Sequence, residues 1–434
     1  MRPTRVRWRI LWLMVVGSAV AYMLRLNVSI AGDAMVRDLS LTPVQFGLIL
    51  SAFAWGYAAF QLPGGLFGEW WGPRRALTLA ITAWGVLTVG MALLPGGTAA
   101  GGIVAAAMLL RLLMGVVQAP IFPITSGCSV RTWFPLRAWA MPNALLTVGM
   151  TMGGVIAGPL VAWLVLGLGW RGAFLAMAPL AFIGAALWWW YSRDEPSQHR
   201  HVNQAELELI RSEPPPPVPD ERGALREVLL RPAVLLLTAS YAATNYVFYI
   251  FFNWFFFYLT EVRHFPAQIS GWFTGLQWGI GAVAALLGGM ACDWLTRRHG
   301  AHLATRLIAV GGLLACAGLL VAGAAVALPV LAVLLLSLSF ACTMFVDVAY
   351  WVAAMIVGGR HASAATGLMN TGGNLAGAVG AVAVPLIART SGWFVAVSSG
   401  AAFALLAAAL WLWIAVPRRE RAPAPESDLD LVPA

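Results

Sequence analysis

The chain has 434 residues, of which 60% are hydrophobic and only 10% charged, with a formal net charge of +9. Soluble domains carry about 25% charged residues, so the composition excludes an ordinary soluble protein and indicates a membrane protein. The four cysteines show no paired spacing, which predicts neither a disulfide framework nor a zinc site. The first apolar run has the length of a span and no A-x-A-like site, which argues against a cleaved signal peptide.

Twelve apolar stretches reach the length of about 20 residues that a transmembrane helix needs. The first six lie at about 10–31, 44–68, 76–95, 99–127, 138–166 and 171–191. The other six lie at about 232–259, 267–291, 303–325, 328–357, 363–388 and 391–416. The sequence therefore predicts an all-α membrane protein in which 12 transmembrane helices form two pseudo-symmetric six-helix bundles.

The polar segments predict the domain boundaries. We expect an N-terminal bundle over 1–191, a cytoplasmic linker over 192–230, a C-terminal bundle over 231–416 and a disordered cytoplasmic tail over 417–434. Arginine placement predicts the orientation, because cytoplasmic loops are enriched in basic residues. With a cytoplasmic N-terminus, 21 arginines fall in cytoplasmic segments and only 4 in external ones. Both termini are therefore expected in the cytoplasm.

The two halves of the chain resemble each other. GLFGEWWGPRR at 65–75 follows the second span, and GMACDWLTRRHG at 289–300 follows the eighth, which places Glu69 and Asp293 224 residues apart. Gly169-Trp170 and Gly392-Trp393 repeat at an offset of 223. Parallel repeats of six spans, with a site between the halves near the bilayer midplane, are a transporter architecture.

This doubled loop resembles the signature loop of the major facilitator superfamily. The resemblance implies a conformational latch in which the acidic residue pairs with an arginine and a helix N-terminus and holds the halves in one state. The matching residues are Glu69, Arg74, Asp293 and Arg297. Glu69 stands where aspartate is usual, and this difference keeps the charge.

Within the superfamily, the whole chain resembles the anion:cation symporter family, which includes sugar-acid carriers and relatives of sialin. The resemblance is carried by RLLMGVVQAPIFP at 111–123, NWFFFYL at 253–259 and GLMNTGGNLAG at 367–377. It implies a secondary active transporter that moves a sugar acid or another carboxylate across the cytoplasmic membrane by alternating access, as an ion-coupled symporter.

Two arginines, Arg25 and Arg111, lie inside predicted spans. A guanidinium in the bilayer core costs at least about 2.5 kcal/mol, so it needs a wet cavity or an anion. A planar guanidinium can hold a carboxylate through two parallel hydrogen bonds. Both arginines also match positions that face the central cavity in the resembled family. Two alternatives stay open: Arg25 could snorkel to the interface, and Arg111 could pair with Asp347 or with backbone carbonyls.

Polar and amphipathic side chains on spans one, seven, ten and eleven complete the predicted substrate site. They are Tyr22, Tyr249, Asn253, Trp351, Asn370 and Asn374. In hydrocarbon such groups need partners, and a hydroxylated substrate would provide them. The alternative for each is a hydrogen bond between helices.

Energy coupling is where the sequence departs from the resembled family. Proton-coupled members have an aspartate before the first arginine and a glutamate in span four, whereas this chain has Leu24 and Gln118. Asp347 is the remaining carboxyl well inside a span, and we predict that it carries the coupling ion, a proton or sodium. The alternative is a fixed counter-ion for Arg25 or Arg111.

Other functions stay open or are disfavoured. An anion exchanger or facilitator without proton coupling fits the missing acids, and a drug or lipid exporter would more typically have an acidic, aromatic cavity. The sequence has no H-E-x-x-H, G-x-S-x-G or Walker A motif, so we predict no enzyme, cofactor or metal. The expected partners are a small organic anion, a coupling ion and the lipid bilayer, with no nucleic acid, and the chain is expected to be a monomer.

Overall fold

The computed structural model describes residues 3–95, 101–135, 140–212, 231–358 and 362–416, and within them it is helical. The first half contains α1 Val6–Ile30, α2 Gly32–Asp38, α3 Pro43–Trp71, α4 Pro73–Ala92, α5 Gly101–Gln118 and α6 Ala140–Tyr191. A short helix, α7 Gln204–Arg211, follows. The second half contains α8 Pro232–Phe257, α9 Ala267–His299, α10 Ala301–Ala325, α11 Pro329–Gly358 and α12 Ala362–Trp413. Two short π-helical segments lie at Ile124–Val130 and Tyr258–Val262.

In the described part of the chain, ten helices are long and apolar enough to cross a membrane. Two of them, α6 and α12, contain 52 residues each and break at Gly169 (φ 69°) and Gly392 (φ 85°). An unbroken helix of that length would measure about 78 Å, more than twice the hydrocarbon core. Glycine adopts positive φ without steric cost, so it provides the break in both halves. The count of twelve stays a prediction.

The internal repeat is visible in the backbone turns. Gly72 (φ 89°) joins α3 to α4, and Gly300 (φ 84°) joins α9 to α10. The span predicted at 267–291 continues as helix to His299, since the basic residues at its end extend beyond the apolar run without breaking the helix. The second turn therefore lies four residues beyond the position that the repeat predicts.

Within the described residues, the two halves share an apolar cluster at one end and not at the other. We call the end with residues 31–42 and 258–266 the Asp33 end, and the end with the Gly72 and Gly300 turns the Arg74 end. The largest apolar cluster contains residues of both halves and includes Ile30, Phe46 and Leu259 of the Asp33 end. At the Arg74 end each half has an apolar cluster of its own. The halves therefore meet at the Asp33 end and separate towards the other.

Two helix crossings join the halves, and the repeat relates them to each other. A Cβ on Gly47 of α3 would lie 2.3 Å from the carbonyl oxygen of Ala381 on α12. A Cβ on Gly158 of α6 would lie 2.3 Å from the carbonyl oxygen of Gly271 on α9. Glycine permits this close backbone approach. Arg37 adds a polar contact at the Asp33 end, with its Nη2 3.5 Å from Oε1 of Glu261 in the other half.

The described part of the predicted linker, residues 192–212, packs on the first half. Glu206 of α7 is fully buried and accepts hydrogen bonds from the Thr4 hydroxyl (2.6 Å) and the Val6 amide (2.9 Å). A carboxylate at a helix N-terminus satisfies free amides and favours the helix dipole. This segment thus caps α1. The proline run at 214–217 and the predicted tail at 417–434 lie outside the described residues.

Candidate functional site

Arg25 lies on α1 with only 4% of its surface exposed. Its guanidinium carbon is within 6.0 Å of five aromatic ring centres from both halves. These rings belong to Phe252 (4.8 Å), Phe53 (4.9 Å), Tyr57 (5.1 Å), Tyr22 (5.7 Å) and Tyr249 (6.0 Å). Aromatic faces attract a cation, and more strongly when water is excluded. Arg25 is therefore held inside the protein rather than snorkelling to an interface.

A chain of hydrogen bonds leads from Arg25 into the second half. Nη2 of Arg25 donates to the Tyr249 hydroxyl (2.8 Å), which donates to Oδ1 of Asn374 (2.8 Å). Nδ2 of Asn374 then donates to the backbone oxygen of Asn370 (2.8 Å). The structure thus brings four predicted site residues together across the boundary between the halves.

Arg111 lies on α5 with 2% of its surface exposed, and its guanidinium carbon is 4.6 Å from the Phe53 ring centre. Its one hydrogen bond within the described residues is a long contact with Sδ of Met114 (4.0 Å). Neither Arg111 nor Arg25 forms an ion pair with a described carboxylate, and the Nε of each has no partner there. The site therefore presents two buried cations with unused hydrogen-bond donors, which can bind an anion.

Asp347 does not contact either arginine in this conformation. Its carboxylate accepts hydrogen bonds from the Tyr241 hydroxyl (3.1 Å) and from Nε1 of Trp351 (2.9 Å). Tyr241 precedes Tyr249 on α8 by eight residues, about two helical turns, which places Asp347 nearer the Arg74 end. The sequence left open that Asp347 is a fixed counter-ion for Arg25 or Arg111, and these contacts do not support that alternative.

The remaining predicted residues differ in their surroundings. The Tyr22 ring lies edge-on to Phe252 (6.5 Å) and Trp278 (6.0 Å), next to the Arg25 side chain. Asn253 is buried on α8. No hydrogen bond of Asn253 connects it to the other predicted residues of the described site, so its inclusion stays a prediction.

The predicted latch is only partly visible. The Glu69 side chain lies outside the described residues. Arg74 donates to the backbone oxygen of Trp189 through Nε (3.0 Å) and Nη2 (2.6 Å) and stacks on its ring. Asp293 and Arg297 are exposed and form no ion pair within the described chain. The latch therefore stays a prediction.

Sequence reasoning did not single out an acid that caps α4. Asp194 accepts a hydrogen bond from the Arg74 amide (2.7 Å) at the start of that helix. The sequence signal was weak, because Asp194 lies 120 residues from its partner. The aromatic residues around the arginines, Phe53, Tyr57 and Phe252, were also missed. The i, i+4 spacing of Phe53 and Tyr57 places both rings on one face of α3 and could have indicated them.

The family model of the Major Facilitator Superfamily matches residues 11–355. The chain belongs to this superfamily. Relatives with similar sequences are transporters. This chain is a transporter of the cell membrane rather than an enzyme.

Three relatives align over most of their own length. The chain is 29% identical to a probable sulfoacetate transporter of Cupriavidus necator, covering 90% of this chain and 89% of the relative. It is 28% identical to the hexuronate transporter of Bacillus subtilis (89% and 88%). It is also 28% identical to a probable galactarate/D-glucarate transporter of the same organism (91% and 88%).

Solved structures show the same fold. A bacterial homologue of the human lysosomal transporter Spinster, in an inward-facing and unoccupied conformation, aligns with a TM-score of 0.78 and 16% identity, covering 94% of this chain and 97% of that chain. A D-xylose-proton symporter aligns with a TM-score of 0.72 and 14% identity, covering 95% and 98%. At this identity the likeness concerns the fold alone.

Proposed function

We propose that this transporter carries a small organic anion, a sugar acid or another carboxylate, by alternating access between the two halves. The observation that carries the proposal is the pair of buried guanidiniums, Arg25 and Arg111, with no described carboxylate beside them. A buried charge is costly unless it is paired, so these cations are best explained by an anionic substrate. The sulfoacetate, hexuronate and galactarate/glucarate relatives support the same class.

The surroundings of the arginines support a hydroxylated organic acid. Tyr249, Asn374 and Asn370 form a polar path that begins at Arg25, so hydroxyl groups of a substrate would find donors and acceptors there. The aromatic rings alone would suit an exporter of drugs or lipids. They surround cations here, and an anion is the ligand that a cationic site favours.

The proposed topology has twelve spans with both termini in the cytoplasm, and the breaks at Gly169 and Gly392 support this count. The Asp33 end then faces outwards. Since the halves meet at that end, the described conformation is closed towards the outside and faces inwards. The Arg74 end, where the halves have separate apolar clusters, is the cytoplasmic side.

We further propose that Asp347 carries the coupling ion in symport. Its carboxylate is held by two neutral donors, Tyr241 and Trp351, so it can be protonated without leaving a buried arginine unpaired. A second candidate is anion exchange or facilitated transport without proton coupling. Leu24 and Gln118, which cannot carry a proton, favour this second candidate.

A binding experiment on the purified transporter tests the anion site. We expect uronates, aldonates and dicarboxylates to raise the melting temperature of the wild type and Arg111→Ala to abolish the rise. Arg111→Lys keeps the charge but loses the bidentate geometry. Losing one hydrogen bond to a charged group costs about 1.5–3 kcal/mol, so Arg111→Lys should bind the acid with a roughly 10- to 150-fold weaker affinity.

Arg389→Ala provides the matched control, because Arg389 is an exposed arginine outside the site and outside the predicted latch. It should bind the same acids as the wild type. Equal binding of the best carboxylate by wild type and Arg111→Ala would show that the arginines do not form the anion site.

A further inference from the structure

The charge balance around the two arginines indicates which kind of anion the site binds. Both guanidiniums contact the same ring, Phe53, and both are at least nine-tenths buried. Their described hydrogen-bond acceptors are the Tyr249 hydroxyl and the Met114 sulfur, and both acceptors are neutral. The centre therefore holds two positive charges close together without compensation.

The neighbouring positions on the same helices add no negative charge. Leu24, next to Arg25, is apolar and 2% exposed. Gln118 follows Arg111 by seven residues, which places both on one face of α5, and its buried Oε1 has no partner among the described residues. An amide there is neutral and leaves the charge of the arginines unchanged.

Four other carboxylates of the described spans and their ends are occupied elsewhere, and Asp293 is exposed at the Arg74 end. Asp347 is held by Tyr241 and Trp351. Asp33 and Glu261 bind Arg37 at the Asp33 end. Asp38 in turn binds Arg171. None of these acids lies within ion-pair distance of Arg25 or Arg111.

From this charge balance we propose that the preferred substrate is a short-chain dianion, an organic acid with two ionised acidic groups. This inference rests on the proposed anion site and specifies its substrate class. A monoanion would neutralise one guanidinium and leave the other buried and unpaired, which is costly. A dianion pairs with both.

The geometry limits the size of the dianion. The guanidinium carbons of Arg25 and Arg111 lie 4.9 and 4.6 Å from the same ring centroid, so they are at most 9.5 Å apart. Two acidic groups on a short carbon chain can reach both cations from one position between them. Because both guanidiniums contact the Phe53 ring, the acidic groups of the substrate need not be far apart.

Matched acids of equal shape and different charge test the inference. The first pair is succinate and succinamate, in which one carboxylate is replaced by an amide, and the second pair is glucarate and gluconate. Affinities for the purified wild type are measured calorimetrically at about pH 8, where all carboxyl groups are ionised. We expect each diacid to bind about 10-fold or more tightly than its monoacid partner, the effect of one additional charged hydrogen-bonded pair.

Two variants change the charge of the site. Gln118→Glu adds one negative charge with little change of shape, and Arg111→Gln removes one positive charge. In both variants the preference for the diacid should fall to about 3-fold or less, because the site carries one positive charge fewer. Gln268→Glu, at an exposed position of α9, adds the same charge away from the site and should keep the wild-type preference.

The preference is a ratio of two affinities in the same protein, so partial unfolding of a variant does not change it. Equal binding of diacid and monoacid by the wild type, with binding lost in Arg111→Gln, would overturn the dianion inference and leave the anion site intact. Absence of binding by all four acids would overturn both.

Discussion

The two halves of this transporter have the same backbone plan but different chemistry at their centre. Gly169 and Gly392 break equivalent helices, and equivalent helix crossings at Gly47 and Gly158 join the halves. Yet Arg25 has Tyr249 at the equivalent position, 224 residues further on, and the two side chains hydrogen-bond to each other. The two halves thus share the fold but differ at this position, with a cation in the first half and a hydroxyl in the second.

This difference suggests a division of roles. The first half contributes the two buried cations, Arg25 and Arg111, and the second contributes hydroxyl, amide and carboxyl groups on α8, α11 and α12. The first half would recognise the charge of the substrate, while the second would recognise its polar body and carry the coupling ion. Each prediction below tests one side of this division.

The largest effect is expected from Asp347→Asn. An asparagine can still accept a hydrogen bond from Tyr241 or Trp351, so the fold should be retained, but it cannot bind a proton. We expect accumulation driven by a pH gradient to be abolished, while counterflow exchange continues. Uptake into proteoliposomes with an imposed pH gradient, a sodium gradient or no gradient measures this.

Glu208→Gln, which removes an exposed carboxylate from α7, is the control and should accumulate substrate normally. Full gradient-driven accumulation by Asp347→Asn would exclude Asp347 as the coupling residue. If the wild type accumulates nothing under any gradient, the exchanger or facilitator is the correct function.

The next effect is expected from Tyr249→Phe, which removes the hydroxyl between Arg25 and Asn374. A hydrogen bond to a charged group contributes about 1.5–3 kcal/mol, so the anion-free protein should melt at a lower temperature. The anion then provides the missing partner of Arg25 and should stabilise the variant more than the wild type. Thermal unfolding with and without the best-binding acid measures both effects. Tyr246→Phe is the control, because it removes a hydroxyl from the same helix that contacts Ser399 instead of Arg25. An unchanged melting temperature of the anion-free variant would contradict the link between the halves.

The fold could be predicted from the sequence because its signals are long and local. Apolar runs predicted the long membrane-spanning helices, although the count of twelve stays a prediction. The glycine offsets predicted the repeat, and Gly169 and Gly392 both have positive φ angles. Helix ends were less predictable, since α9 continues through basic residues that no hydropathy criterion includes.

The site was predictable only in its polar members. Charged residues in an apolar span are conspicuous, so Arg25, Arg111 and Asp347 could be named in advance. Phe53 was harder to find, because apart from its i, i+4 spacing to Tyr57 it has no feature that separates it from phenylalanines facing lipid. The partners of Asp347 also depend on the positions of α8 and α11 in space, which sequence spacing does not give.

A smaller effect is expected from Gly158→Ala, which tests the boundary between the halves. The new methyl group would lie 2.3 Å from the backbone oxygen of Gly271, which cannot move without shifting α9. Overpacking of this kind costs about 1–3 kcal/mol. The ratio of molecules closed at the Asp33 end to molecules open there should therefore fall roughly 5- to 150-fold. Spin labels at Pro43 and Gln268 should report longer distances. Gly184→Ala adds a methyl group to the same helix where no atom lies within 4 Å, and its distances should not change.

The smallest effects are expected from two arginines that cap equivalent helices by different means. Arg171 donates to the backbone oxygen of Leu94 just beyond α4 (2.9 and 3.1 Å) and binds Asp38. Arg263 donates to the backbone oxygens of residues 323, 324 and 326 at the end of α10. Because both side chains are partly exposed, Arg171→Gln and Arg263→Gln should each lower the free energy of unfolding by only about 0.5–1 kcal/mol.

The two caps should differ in how their contribution to stability depends on pH. Burial raises the pKa of Asp38, but hydrogen bonds from Arg171 and Trp170 outweigh this effect and hold the pKa below its usual value. A lowered pKa stabilises the folded state above the unfolded pKa of about 4, and this stabilisation is lost as the pH falls through the folded value. Thermal unfolding between about pH 3 and 7 should therefore show a weaker acid dependence in Arg171→Gln than in the wild type. Arg263→Gln, whose arginine binds only neutral acceptors in the described structure, should keep the wild-type acid dependence. An identical acid dependence in both variants would mean that the Asp38 pair does not contribute to the first half's stability.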